Sequence, residues 1–168
     1  MTLTHRTGLY EACQQISPIQ PDHATLPIQE GFNWSSCLGD ARFDRLYLVV
    51  FRSMLRVTAD LELLCEHDKR VYAEALDVGG LLHYFKGEVN GRRECLSFCL
   101  WESREQARRA SSGSLHRAAT EIVAETYESY SLERYEVMKV KGPKGSLVFR
   151  PLEGVTSCPG TSEPGQPT

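Results

Sequence analysis

The stretch LLHYFKGEVNGRRECLSFCLW, residues 81–101, predicts two strands joined by a turn at Asn90 and Gly91. Asn-Gly between two apolar runs favours a type I′ turn, because both central residues of that turn need a positive φ. Counting back from such a turn pairs His83 with Phe98, on a face that is otherwise apolar. The opposite face is partly polar but still too apolar to be left bare, so we expect both faces to be covered.

A strand and a helix are predicted on each side of this hairpin. Before it, the apolar strand FDRLYLVVFRS (residues 43–53) precedes ADLELLCEHDKRVYAEAL (residues 59–76), whose apolar side chains repeat at helical spacing. After it, a Ser-x-x-Gln capping box opens a second helix over residues 103–129, with a break expected at residues 111–114. The run LERYEVMKVK, residues 132–141, is predicted to be the fourth strand.

The resulting order of elements predicts an α+β protein with the ferredoxin-like βαββαβ fold. Two helices cover one face of a four-stranded antiparallel sheet, which leaves the face with Tyr47, Val49 and Phe51 uncovered by this count. Apolar surface on that scale predicts association. We therefore expect a homodimer in which two sheets meet through their open faces, as in a dimeric α+β barrel.

All eight prolines lie outside residues 28–142, and this proline-free block contains the predicted fold. We divide the 168 residues into an N-terminal arm (residues 1–41), one α+β domain (residues 42–150) and a tail (residues 151–168). The arm is expected to wrap around the domain, with a short helix near residues 9–15. The tail is predicted to be disordered, because it is rich in Pro and Gly and has no aromatic residue.

Charge and composition argue against several classes of function. Nineteen basic and 22 acidic residues give a net charge of −3, whereas nucleic-acid-binding domains normally carry a basic excess. No run approaches the roughly 20 apolar residues that span a bilayer. The N-terminus lacks the apolar core of a signal peptide, so we expect a cytoplasmic protein. The six cysteines have irregular spacings without a Cys-x-x-Cys pair, which argues against disulfides and against a metal site.

One part of the chain resembles a known group of proteins. The block CLSFCLWESREQARRASSGSLHRAA (residues 95–119), followed by YESYSLERYEV (residues 127–137), is similar to an uncharacterised fungal family. The order of elements resembles the dimeric α+β-barrel superfamily, which includes antibiotic-biosynthesis monooxygenases and polyketide cyclases. The resemblance implies a pocket between sheet and helices that works without a cofactor. It also implies oxidation, cyclisation or isomerisation of aromatic or polyketide substrates, although members without known activity occur as well.

Two histidines are the candidate catalytic residues. His83 is expected beneath the helices among apolar side chains, where burial would lower its pKa and make it a general base near neutral pH. The alternative is a core histidine bonded to a helix side chain. His116 follows the break in the second helix and either faces the same cavity or faces solvent. If both point inward, they form an acid/base pair.

Four aromatic residues are candidates for binding a flat substrate: Trp34, Tyr84, Trp101 and Tyr127. Packing is the alternative for aromatic residues in strands, whereas Trp34 is expected in a loop and has no obligatory packing role. Tyr127 could also donate a hydrogen bond to a developing oxyanion. The resemblance implies a small cofactor-independent tailoring enzyme of fungal secondary metabolism, in which these residues would carry out binding and proton transfer. The alternative is a non-catalytic dimer that binds a small ligand or has a stress-related role. Whether His83 and His116 share a cavity discriminates between the two hypotheses.

Overall fold

The structure is a computed structural model, and it describes residues 3–140, 146–152 and 156–157 of the chain. Helices and strands of this part are numbered in chain order. The helices are α1 (Leu3–Gln14), α2 (Trp34–Leu38), α3 (Leu61–Val78), α4 (Arg104–Ser111), α5 (Ser114–Glu121) and α6 (Val123–Thr126). The strands are β1 (Arg45–Leu55), β2 (Leu81–Phe85), β3 (Glu94–Trp101), β4 (Tyr127–Lys139), β5 (Leu147–Pro151) and β6 (Thr156–Ser157).

The strand order is that of the predicted ferredoxin-like fold. β1 lies between β3 and β4 and is antiparallel to both, and β2 pairs with the far side of β3. Helix α3 connects β1 to β2, and α4, α5 and α6 connect β3 to β4, which completes the βαββαβ order. The sheet is wider than the four strands predicted, because β5 and the two-residue β6 also pair with β4.

Local signals explain where the helices begin and end. The Asp60 carboxylate accepts hydrogen bonds from the first backbone N–H groups of α3, and Gly79 ends this helix with a φ of 76°. Ser103 caps α4 as the capping box predicts, and the expected break separates α4 from α5. The second helical region ends earlier than predicted, because Tyr127 already pairs with Leu55 of β1 and starts β4.

The hairpin between β2 and β3 has a different turn from the one predicted. The Asn90 carbonyl accepts a hydrogen bond from the Arg93 N–H group (2.9 Å), and the residue with positive φ is Arg93, at 65°. The side-chain oxygen of Asn90 also accepts the Arg92 and Glu94 N–H groups (2.9 Å each). The turn therefore runs from Asn90 to Arg93, rather than centring on the Asn90-Gly91 pair.

This longer turn shifts the strand register. His83 pairs with Leu100 and Phe85 pairs with Phe98, whereas a type I′ turn would pair His83 with Phe98. The shift amounts to two residues, so the side chains keep their relative alternation. The pairing is also irregular between Leu81 and His83. Because of this irregularity, the Leu82 side chain lies in the buried core on the same side of the sheet as His83.

The two faces of the sheet are covered by different parts of the chain. We call the face of the sheet that is covered by the helices after β1, such as α3 and α4, the helix face. It carries Tyr47 and Trp101, which are buried, and the half-buried Val49. Small residues of the helices pack on it, including Ala75 of α3 and Ala107 of α4. The face with Tyr47 and Val49, predicted to be open, is therefore the one that the helices cover.

The opposite side, which we call the arm face, is covered by the described part of the N-terminal arm, within residues 3–41. Leu48, Val50 and Phe98 of this face are fully buried against the arm. The open sheet face that the predicted dimer required is thus filled by the chain itself. The homodimer remains a prediction, but it needs a different surface.

Polar contacts hold the arm in place along its length. The Arg52 guanidinium donates hydrogen bonds to the backbone oxygens of Ala24 (2.7 Å) and Leu26 (2.8 Å). Lys139 Nζ donates to the Gly39 oxygen (2.8 Å), and the Gln14 amide donates to the Leu82 oxygen (2.5 Å). The bonds from Arg52 and Lys139 satisfy backbone oxygens of the arm that belong to no strand or helix, and the bond from Gln14 ties α1 to β2.

No described helix is long and apolar enough to cross a membrane. Most of the predicted disordered tail lies outside the described residues, and its Thr156 and Ser157 pair with Leu132 and Ser131 of β4.

Candidate functional site

The helix face carries a polar cluster where α3 packs on β2. The Tyr84 hydroxyl donates a hydrogen bond to Asp68 Oδ1 (2.5 Å), and Lys86 Nζ donates to Asp68 Oδ2 (2.8 Å). Lys86 Nζ also lies 4.0 Å from Cys65 Sγ. We call Asp68, Tyr84 and Lys86 the Asp68 cluster. It places a carboxylate, a phenol and an ammonium group side by side on a face that is otherwise mainly apolar.

Helix and strand periodicity bring these three side chains together. Tyr84 points to the helix face, because its partner across the hairpin is Cys99 of that face. Lys86 follows two residues later and therefore points the same way. Asp68 stands on α3 between Cys65 and Tyr72, at spacings of three and four residues that share one side of a helix.

Protonation makes the Asp68 cluster a source of hydrogen-bond donors at neutral pH. Burial, followed by the hydrogen bond to Asp68, raises the pKa of Tyr84 far above its usual range. The same carboxylate raises the pKa of Lys86, because its hydrogen bond outweighs the opposite effect of burial. Both groups stay protonated at neutral pH. The single O–H of Tyr84 is bound to Asp68, so Lys86 is the member of the cluster that can donate to an oxygen atom of a ligand.

Tyrosine rings line the space around the cluster. The ring of Tyr72 lies 5.4 Å from that of Tyr84, and the rings of Tyr127 and Tyr130 lie 5.2 Å apart. Burial raises the pKa of Tyr127 to about 12, with smaller contributions from Cys95 and from Asp68, so Tyr127 lies within electrostatic reach of the cluster. We use the name helix-face cleft for the region between α3 and the sheet that carries the Asp68 cluster and these tyrosines. Such rings offer flat surfaces to an aromatic ligand.

The cysteines of the helix face are packing residues in their protonated form. Burial raises the pKa of Cys99 to about 12 and also raises the pKa of Cys95. A thiol is nucleophilic as the thiolate, so neither group is activated at neutral pH. Both cysteines are free, in line with the prediction that they are small core residues.

His116 lies on the helix side of the sheet, in the first turn of α5. Its backbone N–H and that of Leu115 donate to the Glu74 carboxylate of α3 (3.1 and 3.4 Å). Burial lowers the pKa of the His116 imidazole, and the charge of Glu74 partly opposes this effect. The imidazole is therefore largely neutral at neutral pH, the state that a general base requires.

His83 lies on the arm face, away from His116. Its ring centroid is 5.6 Å from that of Phe98, and burial lowers its pKa. Both ring nitrogens are buried and have no hydrogen-bond partner among the described residues. Because the sheet separates the two imidazoles, they share no cavity, and the acid/base pair that the sequence suggested does not form.

The predicted substrate-binding aromatics are also divided between the two faces. Tyr84 and Tyr127 line the helix-face cleft. Trp101 is buried on the same face, packed with Ala107 and its neighbours under α4. Trp34 lies on the arm face, where it is 2% exposed and donates from Nε1 to the Ile28 oxygen (2.8 Å). Its place in the structure is that of an anchor for the arm.

Sequence reasoning missed Asp68 and underused Lys86. The spacing of Asp68 from Cys65 and Tyr72 puts it on the same side of α3 as these residues, although its neighbours in sequence are charged. Lys86 lies on the partly polar face of the hairpin. A carboxylate within the apolar stripe of a helix, opposite a lysine on a neighbouring strand, was the signal that could have identified the cluster.

Two hollows of the described part of the chain carry less chemistry. One of about 510 Å³ lies between the arm and β5, and none of the side chains that line it is ionisable. The other, of about 420 Å³, is lined by Tyr130 and by Arg52, whose guanidinium is already bound to the arm and to Glu133. The Asp68 cluster, which combines three polar groups, is therefore the better candidate. Among the described residues no group of His, Cys, Asp or Glu side chains is arranged to hold a metal ion.

Comparison with known proteins identifies relatives. A family model described as PB2B2.08-like matches residues 2–149. The UPF0643 protein PB2B2.08 of Schizosaccharomyces pombe is 34% identical over 114 residues, which are 63% of this chain and 50% of that protein. The chain therefore spans about half the length of this curated relative.

Solved structures give weaker similarities. PA3566 from Pseudomonas aeruginosa has a TM-score of 0.48 with 8% identity, over 60% of this chain and 99% of that chain. SnoaB, described as a cofactor-independent oxygenase from Streptomyces nogalater, has a TM-score of 0.44 with 11% identity, over 60% and 98%. A putative antibiotic biosynthesis monooxygenase from Nitrosomonas europaea has a TM-score of 0.45 with 11% identity, over 60% and 94%.

Proposed function

This chain belongs to the PB2B2.08-like family, and we propose that it is a cofactor-independent tailoring enzyme of fungal secondary metabolism. Its substrate would be a flat, aromatic or polyketide-like molecule that carries oxygen atoms. One observation carries the proposal: Lys86 Nζ and the Tyr84 hydroxyl converge on Asp68 in a half-buried cleft lined by tyrosines. The cleft thus combines flat apolar walls with a few polar groups at one point, as small-molecule sites do.

Lys86 has the capacity to bind a substrate oxygen. An ammonium group has three N–H donors, of which one bonds to Asp68 and a second is directed at Cys65 Sγ. The third can donate to a ketone or phenol oxygen of a ligand. When a proton leaves the carbon next to a ketone, the electron pair moves to that oxygen, and a fixed ammonium group stabilises the resulting enolate. This is the step that isomerisation and cyclisation of polyketide-like ketones require.

His116 is the candidate base for this step. It lies on the same side of the sheet as the Asp68 cluster and is largely neutral at neutral pH, so it can accept the proton. His83 has no role in the proposal, because the sheet separates it from the cleft. The separation of the two histidines favours the second candidate function, a protein that binds the same class of ligand without converting it.

Binding is tested with 1,8-dihydroxyanthraquinone, a flat probe with phenolic and ketone oxygens. The measurement is made in a Trp34→Phe background, in which Trp101 of the helix face is the remaining tryptophan. Quenching of its fluorescence then reports binding of the probe at the helix face. Lys86→Met is expected to weaken binding at least tenfold, because a hydrogen bond from a charged donor contributes about 1.5–3 kcal/mol. Arg92→Met is the matched control, since Arg92 is an exposed cation of the hairpin turn. Equal affinities of the two variants would refute the cleft as the site.

Turnover is tested by metabolite profiling in a producing host whose own gene is replaced by each variant. Lys86→Met and His116→Ala are expected to lose the product, and His83→Ala is expected to retain it if the variant folds. Binding that depends on Lys86, together with unchanged metabolites in all variants, would favour the non-catalytic candidate.

A further inference from the structure

Strand β5 forms one edge of the sheet in the part of the chain that the structure describes. The backbone N–H of Leu152, just after this strand, donates to the Arg134 oxygen of β4 (2.8 Å). In antiparallel strands, residues that bond to the neighbouring strand alternate with residues whose N–H and C=O groups point the other way. Counting back from Leu152 along the register, Leu147 and Phe149 are residues of the second kind. Their backbone groups are therefore directed away from β4.

The free part of this edge is short. Leu147 and Phe149 each present one N–H donor and one carbonyl oxygen, and neither residue has another partner for these groups among those that the structure describes. Pro151 holds the next position of the same kind, where its missing N–H costs no hydrogen bond to β4. An added strand would thus receive its hydrogen-bond donors from Leu147 and Phe149.

The hollow of about 510 Å³ between the arm and β5 adjoins these two residues, which both line it. Phe149 points to the arm face, because it pairs with Val137 of the arm-face core, and Leu147 lies two residues away on the same face. Ile19 of the arm also lines the hollow and is 56% exposed. Since none of the lining side chains is ionisable, the hollow suits an uncharged, apolar side chain.

The other side of β5 has an excess of positive charge. Arg150 lies on the helix-face side, because it pairs with Glu136 and Glu136 pairs with Tyr47. The Glu136 carboxylate accepts hydrogen bonds from both Arg150 and Arg45. Both guanidinium side chains are more than half exposed, whereas that of Glu136 is largely buried. Two cations thus share one anion, which leaves a positive charge for an acidic partner.

We propose that the edge of β5 binds an extended segment of a partner protein, which adds a strand to the sheet. The segment has apolar side chains opposite Leu147 and Phe149 and an acidic residue opposite Arg150. Residues that lie opposite each other on paired strands share a face, so the apolar side chains point to the hollow and the acid lies beside the arginine. Main-chain hydrogen bonds supply affinity, and the hollow and Arg150 supply specificity.

A second copy of β5 fits this edge less well. Two copies paired about Phe149 would place Pro151 opposite Leu147 of the partner subunit, and each proline would leave one hydrogen bond unmade. The same pairing would bring the positive charges beside both copies of Arg150 to one face. The inference is also independent of the proposed function, because the edge and the hollow lie outside the helix-face cleft.

Amide NMR of the full chain tests the edge with the acetylated and amidated hexapeptide Ser-Glu-Leu-Thr-Leu-Ser. In the antiparallel register its leucines lie opposite Phe149 and Leu147, and its glutamate lies opposite Arg150. Titration up to about 2 mM covers the weak affinities expected of a short peptide. The amide signals of Leu147 and Phe149 are expected to shift, and to exchange with solvent more slowly when the peptide is bound. Unchanged signals at both residues would overturn the proposal.

Methylation of single peptide nitrogens tests the register without altering the protein. The N–H of the first leucine is expected to bond to the Phe149 oxygen, so its methylation should weaken binding about tenfold. The threonine N–H points away from β5, so methylation there is the matched control and should change binding by less than about twofold. Equal effects of the two methyl groups contradict strand addition.

A comparison of two peptides and two variants tests the charge. Arg150→Gln is expected to weaken binding of the hexapeptide about threefold and to leave binding of a version with glutamine in place of glutamate unchanged. Glu136 keeps Arg45 as a partner in this variant. Arg92→Gln, which removes an exposed cation of the hairpin turn, is the control. Equal losses in both variants, or for both peptides, contradict an acidic residue opposite Arg150.

Hydrogen exchange of the chain alone separates a partner segment from a second copy. The Leu147 and Phe149 amides are expected to exchange fast at every protein concentration. Protection that increases with protein concentration would show that a second copy occupies the edge, and it would overturn the proposal.

Discussion

The two faces of the same sheet are packed in different ways. Of the residues that the structure describes, fifteen buried ones form the core between the arm and the arm face, and six form the core between the helices and the helix face. On the arm face Leu48, Val50 and Phe98 are completely buried. On the helix face the neighbouring Val49 and Phe51 are half-buried, and a hydrogen-bonded polar cluster lies among them.

This difference assigns stability to one face and chemistry to the other. A dense apolar core contributes most of the free energy of folding, because stabilisation grows with the apolar area removed from water. A loosely covered face with satisfied polar groups offers room and hydrogen-bond donors for a ligand. The N-terminal arm is therefore a structural part of the folded unit, although it precedes the βαββαβ fold in sequence.

The largest expected effect compares two phenylalanines on opposite faces. Phe98→Ala on the arm face is expected to lower the free energy of unfolding by about 4 kcal/mol, because it opens a cavity in a close-packed core. Phe51→Ala on the helix face is expected to cost about 2 kcal/mol or less, since its ring is half-exposed already. Guanidinium unfolding followed by circular dichroism measures both values. Equal losses would show that the two faces share the stability evenly.

The sequence was sufficient to predict the fold, but it did not show which part of the chain covers each face of the sheet. Apolar runs, the capping box at Ser103 and the glycine after α3 depend on local chemistry, so they could be recognised without a structure. That the arm fills a sheet face depends on contacts between distant residues, such as Arg52 with the Ala24 oxygen. Residues 1–41 have little apolar periodicity in sequence, so no local pattern indicates this role.

The candidate site was predicted in part for the same reason. The sequence names Tyr84 and Tyr127 as candidates for binding a flat substrate, and for His116 it leaves open whether the imidazole faces a cavity or solvent. The pairing of Lys86 with Asp68 depends on how α3 packs on β2. No local sequence pattern indicates that packing. His83 was assigned to the helix side, because local alternation gives relative faces but not which part of the chain covers them.

A smaller effect is expected at His83, the polar residue inside the arm-face core. His83→Leu removes two buried ring nitrogens that have no partner among the described residues, so stability at pH 7 should rise by about 1 kcal/mol. Burial lowers the pKa of His83 below its ordinary value of 6.5. As pH falls through 6.5, the unfolded chain therefore binds a proton that the folded chain does not, and wild-type stability declines.

The pH dependence of unfolding between pH 7.5 and 5 checks this expectation. His83→Leu should show a shallower decline than the wild type, while the part due to His116 remains. A slope in His83→Leu as steep as that of the wild type would place His83 in a more polar environment than the arm-face core.

The smallest expected effect on stability concerns the contact between α3 and α5, two helices on the helix face, where the apolar core is small. The Glu74 carboxylate accepts the Leu115 and His116 N–H groups and so caps α5 from α3. Glu74→Ala is expected to lower the free energy of unfolding by about 0.5–1 kcal/mol, the usual cost of a lost helix cap. Gly113→Ala should act similarly, because a Cβ atom there would meet the Glu74 carboxylate.

Glu66→Ala separates the cap from a general effect of charge on α3. Glu66 is exposed and bonds to Lys69 alone among the described residues, so its loss should cost about 0.3 kcal/mol. Guanidinium unfolding at pH 7 with closely spaced titration points resolves this difference. If Glu74→Ala and Glu66→Ala cost the same, polar capping does not hold the helix layer. The half-buried contacts of α3 with the sheet would then have to supply that stability, and the contrast between the two faces would be smaller than their burial indicates.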